Sequence, residues 1–414
     1  MKGILTRTFQ NYWNPYVALI LAGALSALYF GLTGAVWAVT GEFTRLGGEF
    51  LQLFGVDISG WTYFEMIHMD GNTLTRPGGW MIWGMFIGAL IMILLSNNFK
   101  FRIPRQKRRY IQGLAGGVLA GFGARLALGC NLAAFFTGVP QFSLHSWIFV
   151  IATGVGTFVG SKIVQTRWWK GKPALIKGGG KPSVQKTKQK QAYVGGIIAV
   201  LYAAVIVLLF AKGQTLLGFG ALFGAFFGIL IERGQICFTS AFRDLWIMAR
   251  GVMAKAIIIG MALSSVMTII VIAIYGMPPI TQIAAPSTFV GGVLFGLGIV
   301  LASSCETGMM YRLMEGQVLY VTVFAGNIIG ATFLAFAWDH LGIYKVLVAS
   351  GSEINLISAI GPVGAITATL IMLAVAYMIV VLRENNYHKK YEYKIGGEAH
   401  VNRGTGGLHT GSKG

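Results

Sequence analysis

The sequence predicts an all-α fold: a polytopic transmembrane bundle of about ten spans, arranged as inverted repeats with short non-crossing helices at its cysteine motifs. Three observations carry this reading. Composition comes first: 55% of the 414 residues are hydrophobic and 11% are charged, with a positive mean hydropathy. That is far more apolar surface than a water-soluble domain of this length can bury. Second, apolar runs long enough to cross a hydrocarbon core of about 30 Å recur along the chain. They fall at 15–39, 79–97, 111–129, 145–163, 193–212, 217–236, 255–275, 288–304, 318–337 and 358–382. Third, "GGVLAGFGARLALGC" (116–130) matches "GGVLFGLGIVLASSC" (291–305) at nine of fifteen positions, with cysteine over cysteine at an offset of 305 − 130 = 175.

The first run follows Lys2 and Arg7, but its length, its aromatics Tyr29 and Trp37 and the spans behind it predict an uncleaved first helix, not a signal peptide. The net charge of +19 resides in short connectors and reads as a topology signal; no nucleic-acid partner is expected. Basic residues cluster in "KFRIPRQKRR" (100–109), between Arg167 and Lys190, and at Arg383, Lys389 and Lys390. Placing all three in the cytoplasm requires even numbers of crossings between them, and the span list supplies two and then six. Both termini are then cytoplasmic. The connector 41–78 falls outside, carrying Glu42, Glu49, Asp57, Glu65 and Asp70 against Arg45 and Arg76. The expected division is a first repeat over 1–166, a basic linker over 167–192, a second, inverted repeat over 193–385 and a polar, disordered tail over 386–414.

A weaker repeat sets "GALSALYFG" (23–31) over "GALFGAFFG" (220–228), matching at five of nine positions and placing Thr40 opposite Cys237. With the topology above, the spans before Thr40 and Cys130 run outward and those before Cys237 and Cys305 run inward. The glycines suit this plan, because small residues let helices approach and let a helix break beside a protein-lined cavity. "NLAAFFTGVPQ" after Cys130 and "ETGMMYRLMEG" after Cys305 predict short helices that do not cross, with thiols facing one central pathway.

A single membrane cysteine is ordinarily a small apolar packing residue, but all three cysteines of this chain end a glycine-rich apolar run. Cys130, Cys237 and Cys305 are therefore the main site candidates, supported by Gly129, Asn131, Glu306 and Thr40. Arg125 joins them, since a charge inside an apolar run is costly and tends to be functional, the alternative being a salt bridge or a snorkelling side chain. Glu232, Arg233, Arg243, Asp244 and Arg312 are expected nearer the inner face, with Arg243 beside Asp244 as a simple pair. No CxxC spacing points to zinc or a disulfide framework. No nucleotide loop, triad or paired carboxylates in a span point to an enzyme, and no cofactor is expected.

A neutral thiol is a soft, weak donor, suited to brief contact with the sulfur or selenium end of an anion. A permease needs such release as much as binding. Two other classes use the same residues: a sulfur- or selenium-transfer protein holding a covalent persulfide or selenosulfide on cysteine, and a Cu(I) carrier using Met309 and Met310. Methionines at helical spacing more often pack, which disfavours the last.

"GFGARLALGCNLAAFFTGVPQFSLH" (121–145), "LIERGQICFTSAFRDLWI" (230–247), "GLGIVLASSCETGMMYRLMEGQV" (296–318) and "VWAVTGEFTRLGG" (36–48) resemble the YeeE/YedE family of membrane proteins. More narrowly they resemble its YedE/FdhT branch, associated with selenium metabolism. The resemblance covers roughly residues 15–385. It implies a bacterial inner-membrane permease in which a thiosulfate-like anion passes between thiols, here those of Cys130, Cys237 and Cys305. The selenium branch implies selenium cargo instead. The partners implied are a small sulfur or selenium anion, the lipid bilayer and a cytoplasmic sulfur or selenium acceptor protein.

Overall fold

The computed structural model describes residues 11–170 and 186–404. Helix α1 (Pro15–Thr33) opens on a proline, which has no N–H to leave unbonded, behind Asn14, whose side chain accepts the Tyr16 N–H at 3.0 Å. It closes on Gly34 in the left-handed conformation. The first half continues with α2 (Thr40–Leu53), α3 (Pro77–Leu95), α4 (Arg108–Leu126), a π-helical turn (Asn131–Phe136) and α5 (Leu144–Gln165). The second half holds α6 (Lys186–Ala211), α7 (Thr215–Arg233), α8 (Phe238–Met248), α9 (Val252–Tyr275), α10 (Pro286–Leu301), α11 (Glu306–Met314), α12 (Leu319–His340) and α13 (Leu356–Gly404). Helix α13 is bent at Gly361, ahead of Pro362. Two-residue strands at Ile283–Ala284 and Ser352–Glu353 pair antiparallel.

The protein is an all-α, multi-pass membrane bundle. Among the described residues, nine stretches are long and apolar enough to cross a membrane. The tenth expected span is α4, a helix of 19 residues whose five glycines and three arginines lower its hydropathy. At 1.5 Å per residue it still reaches about 28 Å. The connector 41–78 is more structured than expected, holding α2 and a one-turn helix, Thr62–Met66. Of the basic linker, residues 171–185 lie outside the described residues. Helix α13 runs on through 386–404, into the segment expected as a disordered tail, and 405–414 lie outside the described residues.

Glycine contacts define how the halves meet. Helices α4 and α10 pack antiparallel. A Cβ on Gly123 would lie 2.7 Å from the Gly291 carbonyl oxygen, and one on Gly298 would lie 2.8 Å from that of Gly116. Because Gly298 and Gly291 hold the repeat positions of Gly123 and Gly116, these are one contact seen twice, related by a two-fold axis between antiparallel helices. The same exchange maps the α3–α7 pair onto α9–α1, the α4–α12 pair onto α10–α5, and the α2–α12 contact onto α8–α5. An axis perpendicular to spanning helices lies in the membrane plane, so the repeats are inverted. Helix α6 packs on α3 and α13 on α9.

The basic connectors gather at one end. Arg108 donates to the Trp168 carbonyl at 2.6 Å, Arg102 pairs with Glu315 at 3.1 Å, and Lys255 pairs with Glu384 at 2.7 Å. At the opposite end Glu42 pairs with Arg45 at 3.0 Å and with Arg76 at 2.6 Å, and Arg76 also binds Glu49.

Candidate functional site

Four chain reversals assemble the site. Helices α1, α4, α7 and α10 end, and the chain starts again at Thr40, Asn131, Phe238 and Glu306 as α2, the π-helical turn, α8 and α11. Helix α8 has 11 residues and α11 has nine, so they reach only about 16 and 14 Å, half a bilayer. Helix α11 is the short non-crossing helix expected after Cys305; after Cys130 the chain forms a six-residue π-helical turn in place of an α-helix, and α8 adds a short helix after Cys237. Each cysteine stands two residues after a non-glycine residue in the left-handed region: Leu128 (φ 54), Gln235 (φ 49) and Ser303 (φ 63). Such backbone is uncommon for these residue types and is held by surrounding packing. Gly129 belongs to the first reversal, where a Cβ would collide with Ala134.

The reversals place the three thiols in the interior, each at most 2% exposed. Cys237 and Cys305 are neighbours, with sulfurs 3.8 Å apart. The Phe238 N–H donates to the Cys305 sulfur at 3.2 Å, and the Thr307 hydroxyl lies 3.1 Å from it. Gly308 leaves room for the pair, since a Cβ there would lie 2.8 Å from the Cys237 sulfur. Cys130 lies beside the Thr40 hydroxyl and the backbone N–H groups of Leu132 and Ala133. Thr40 thus accompanies Cys130 as Cys237 accompanies Cys305: the repeat builds a thiol–hydroxyl pair in one half and a dithiol in the other.

Asn131 and Glu306, the residues following Cys130 and Cys305, are fully buried. Neither the Asn131 amide atoms nor the Glu306 oxygens have a hydrogen-bond partner. Glu306 lies within electrostatic reach of all three thiols. Buried polar groups are ordinarily satisfied, so the partnerless amide beside Cys130 and the partnerless carboxyl beside Cys305 make these two positions candidates for a binding site. The starts of α2, α8 and α11 point partial positive charge into the same region. Aromatic rings close it off: Trp37 stacks on Phe227 at 3.9 Å and meets Phe136 edge-on, and Phe136 packs against Phe238.

Arg125 lies toward the end that carries Glu42 and Arg76. It is buried, its Nε has no partner, and its guanidinium sits 5.4 Å from the Tyr63 ring centroid. With Arg45 it approaches Gly41, at the start of α2. On the other side of the thiols, Arg312 donates to the Ser303 carbonyl at 3.0 Å and to the Tyr320 hydroxyl at 2.8 Å, and acts electrostatically on Cys237. Arg243 pairs with Asp244 at 2.9 Å, and Glu232 with Arg233. Sequence reasoning missed Thr307 and Arg45 and did not foresee that Cys237 and Cys305 adjoin. The inverted repeat held that last signal, because it places the Thr40 and Cys130 positions together in both halves.

The sulphur-transport family profile matches residues 2–159 and 233–408. The probable transporter YedE of Escherichia coli strain K12 is 48% identical over 382 residues, which are 92% of this chain and 94% of that protein. Its counterpart in Salmonella typhimurium is 47% identical with the same coverage. The thiosulfate transporter TsuA of Spirochaeta thermophila is 36% identical over 99 residues, 23% of this chain and 30% of that one. Most of the length of this chain therefore matches one family: it belongs to the sulphur-transport family.

Proposed function

We propose that this protein is a bacterial inner-membrane permease, not an enzyme, that takes up a soft sulfur-containing anion and passes it between the thiols of Cys130, Cys237 and Cys305. The observation that carries this reading is that three buried thiols all lie within electrostatic reach of the partnerless Glu306, with the partnerless Asn131 next to Cys130. The thiols offer soft contacts to a terminal sulfur, and the amide and backbone N–H groups offer weak donors to oxygens. Arg125 attracts the anion at one end, and Arg312 lies at the other. Neutral donors in the middle bind without trapping, as permeation requires. With the basic connectors in the cytoplasm, Arg125 faces outward and both termini face inward. The thiosulfate transporter name of a partial relative supports sulfur cargo. The resemblance to a selenium-associated branch extends this proposal to a selenium species on the same path, delivered to a cytoplasmic acceptor protein.

The test is accumulation of labelled thiosulfate and labelled selenite, side by side, in cells lacking their own uptake systems. Cells expressing the protein accumulate one or both, and Cys130→Ser or Cys305→Ser at equal membrane abundance lowers uptake by about tenfold or more, a loss of about 1.4 kcal/mol. Thiol-independent uptake contradicts the relay. A mass adduct on a cysteine peptide, lost on reduction and without uptake, favours covalent transfer instead.

A further inference from the structure

We propose that Glu306 carries a proton together with the anion, so that transport is proton–anion symport. This inference rests on the permease reading above. Glu306 begins α11, immediately after Cys305, and is fully buried with no hydrogen-bond partner on either oxygen. Among the described residues, the other buried glutamates are each paired with arginine: Glu42 with Arg76, Glu232 with Arg233 and Glu315 with Arg102. The titratable groups facing Glu306 are the thiols of Cys305, of Cys237 at the start of α8 and of Cys130 at the π-helical turn. On α11 itself, Tyr311 faces the Cys237 and Cys305 thiols, and Arg312 binds the Ser303 carbonyl and the Tyr320 hydroxyl of α12. The neighbouring α3 carries no ionisable side chain, and the charged residues of α7 and α8, Glu232 with Arg233 and Arg243 with Asp244, pair among themselves.

An ionised Glu306 would thus stand in a water-poor interior with no salt-bridge partner, and an anion at the thiols would be repelled by it. The neutral acid has the opposite effect, because its O–H can donate to the anion. Anion binding and proton binding at Glu306 therefore favour each other, and such linkage makes the two travel together. The proton is taken up from the side the anion enters and given up with it to the other side. At the repeat position in the first half stands Asn131, which donates without titrating, so a single proton accompanies each anion.

The test uses the full-length protein in proteoliposomes with labelled thiosulfate and a lumenal pH dye, the membrane potential being held at zero with potassium and valinomycin. Counterflow without a pH gradient reports transport itself. In the wild type, thiosulfate addition acidifies the lumen, and an outside-acid gradient of one pH unit raises accumulation about tenfold. In Glu306→Gln the ratio of accumulation with and without the gradient falls to about 1 whatever the remaining rate, and Glu306→Asp restores it. Net thiosulfate uptake without lumenal acidification, or a Glu306→Gln variant with the wild-type ratio, overturns the symport while leaving the permease standing. Absent counterflow overturns the permease and the symport with it.

Discussion

The sulfur atoms of Cys237 and Cys305, 3.8 Å apart and both buried, need only a small movement to bond. Treatment of the purified protein with copper phenanthroline is expected to join this pair, with loss of two hydrogens, and to leave one free thiol, that of Cys130. Thiol counting and peptide mass mapping check it, and a Cys130-containing disulfide would contradict the geometry. The three cysteines and Thr40 stand out in the sequence because repeat positions coincide: Cys130 over Cys305, and Thr40 over Cys237. Their grouping was not legible, since it depends on Leu128, Gln235 and Ser303 turning left-handed, which those residue types do not signal. Arg125 stands out in the sequence as a costly charge, yet its placement with Arg45 near Gly41 follows from tertiary packing that one helix does not reveal.

Among the helices, the inversion rests on glycine contacts between α4 and α10. Gly123→Leu should therefore weaken the bundle, and Gly298→Leu should do so by a similar amount, because the two-fold axis gives them equivalent partners, Phe295 and Gly291 for one, Ala120 and Gly116 for the other. Overpacking of this kind costs about 1–3 kcal/mol, read as a lower melting temperature in detergent. Leucine at Gly55, where an added Cβ meets nothing within 4 Å, strains only its left-handed backbone (φ 78) and should leave the helix packing intact. Span positions followed from apolar length, α4 included, although its glycines and arginines take it below the hydropathy of the other spans. What periodicity could not supply was the short helices' direction: α8 and α11 are too short to be recognised as spans, and only the reversals before them set where they point.

Across the whole molecule, basic connectors meet at one end and the Glu42–Arg76 network occupies the other. This polarity predicts sidedness. In a cysteine-free background, Ser59→Cys should react with a membrane-impermeant maleimide in intact cells, and Arg105→Cys only after permeabilisation, since both positions are exposed and the positive-inside bias separates them. The inverted pairing of halves was legible from two short sequence matches because symmetry repeats every contact once. The structured outer segment was not, because α2 and Thr62–Met66 are held by distant partners such as Asp339, which accepts the Thr62 N–H at 2.8 Å. On the proposed function, buried thiols carry a sulfur anion across this bundle. Counterflow of labelled thiosulfate into proteoliposomes tests it most directly, comparing the wild type with Cys130→Ser and Cys305→Ser. Exchange well above that of protein-free vesicles is expected for the wild type and near-background exchange for both variants, with unchanged melting. Equal exchange in all three, or none in the wild type, would contradict it.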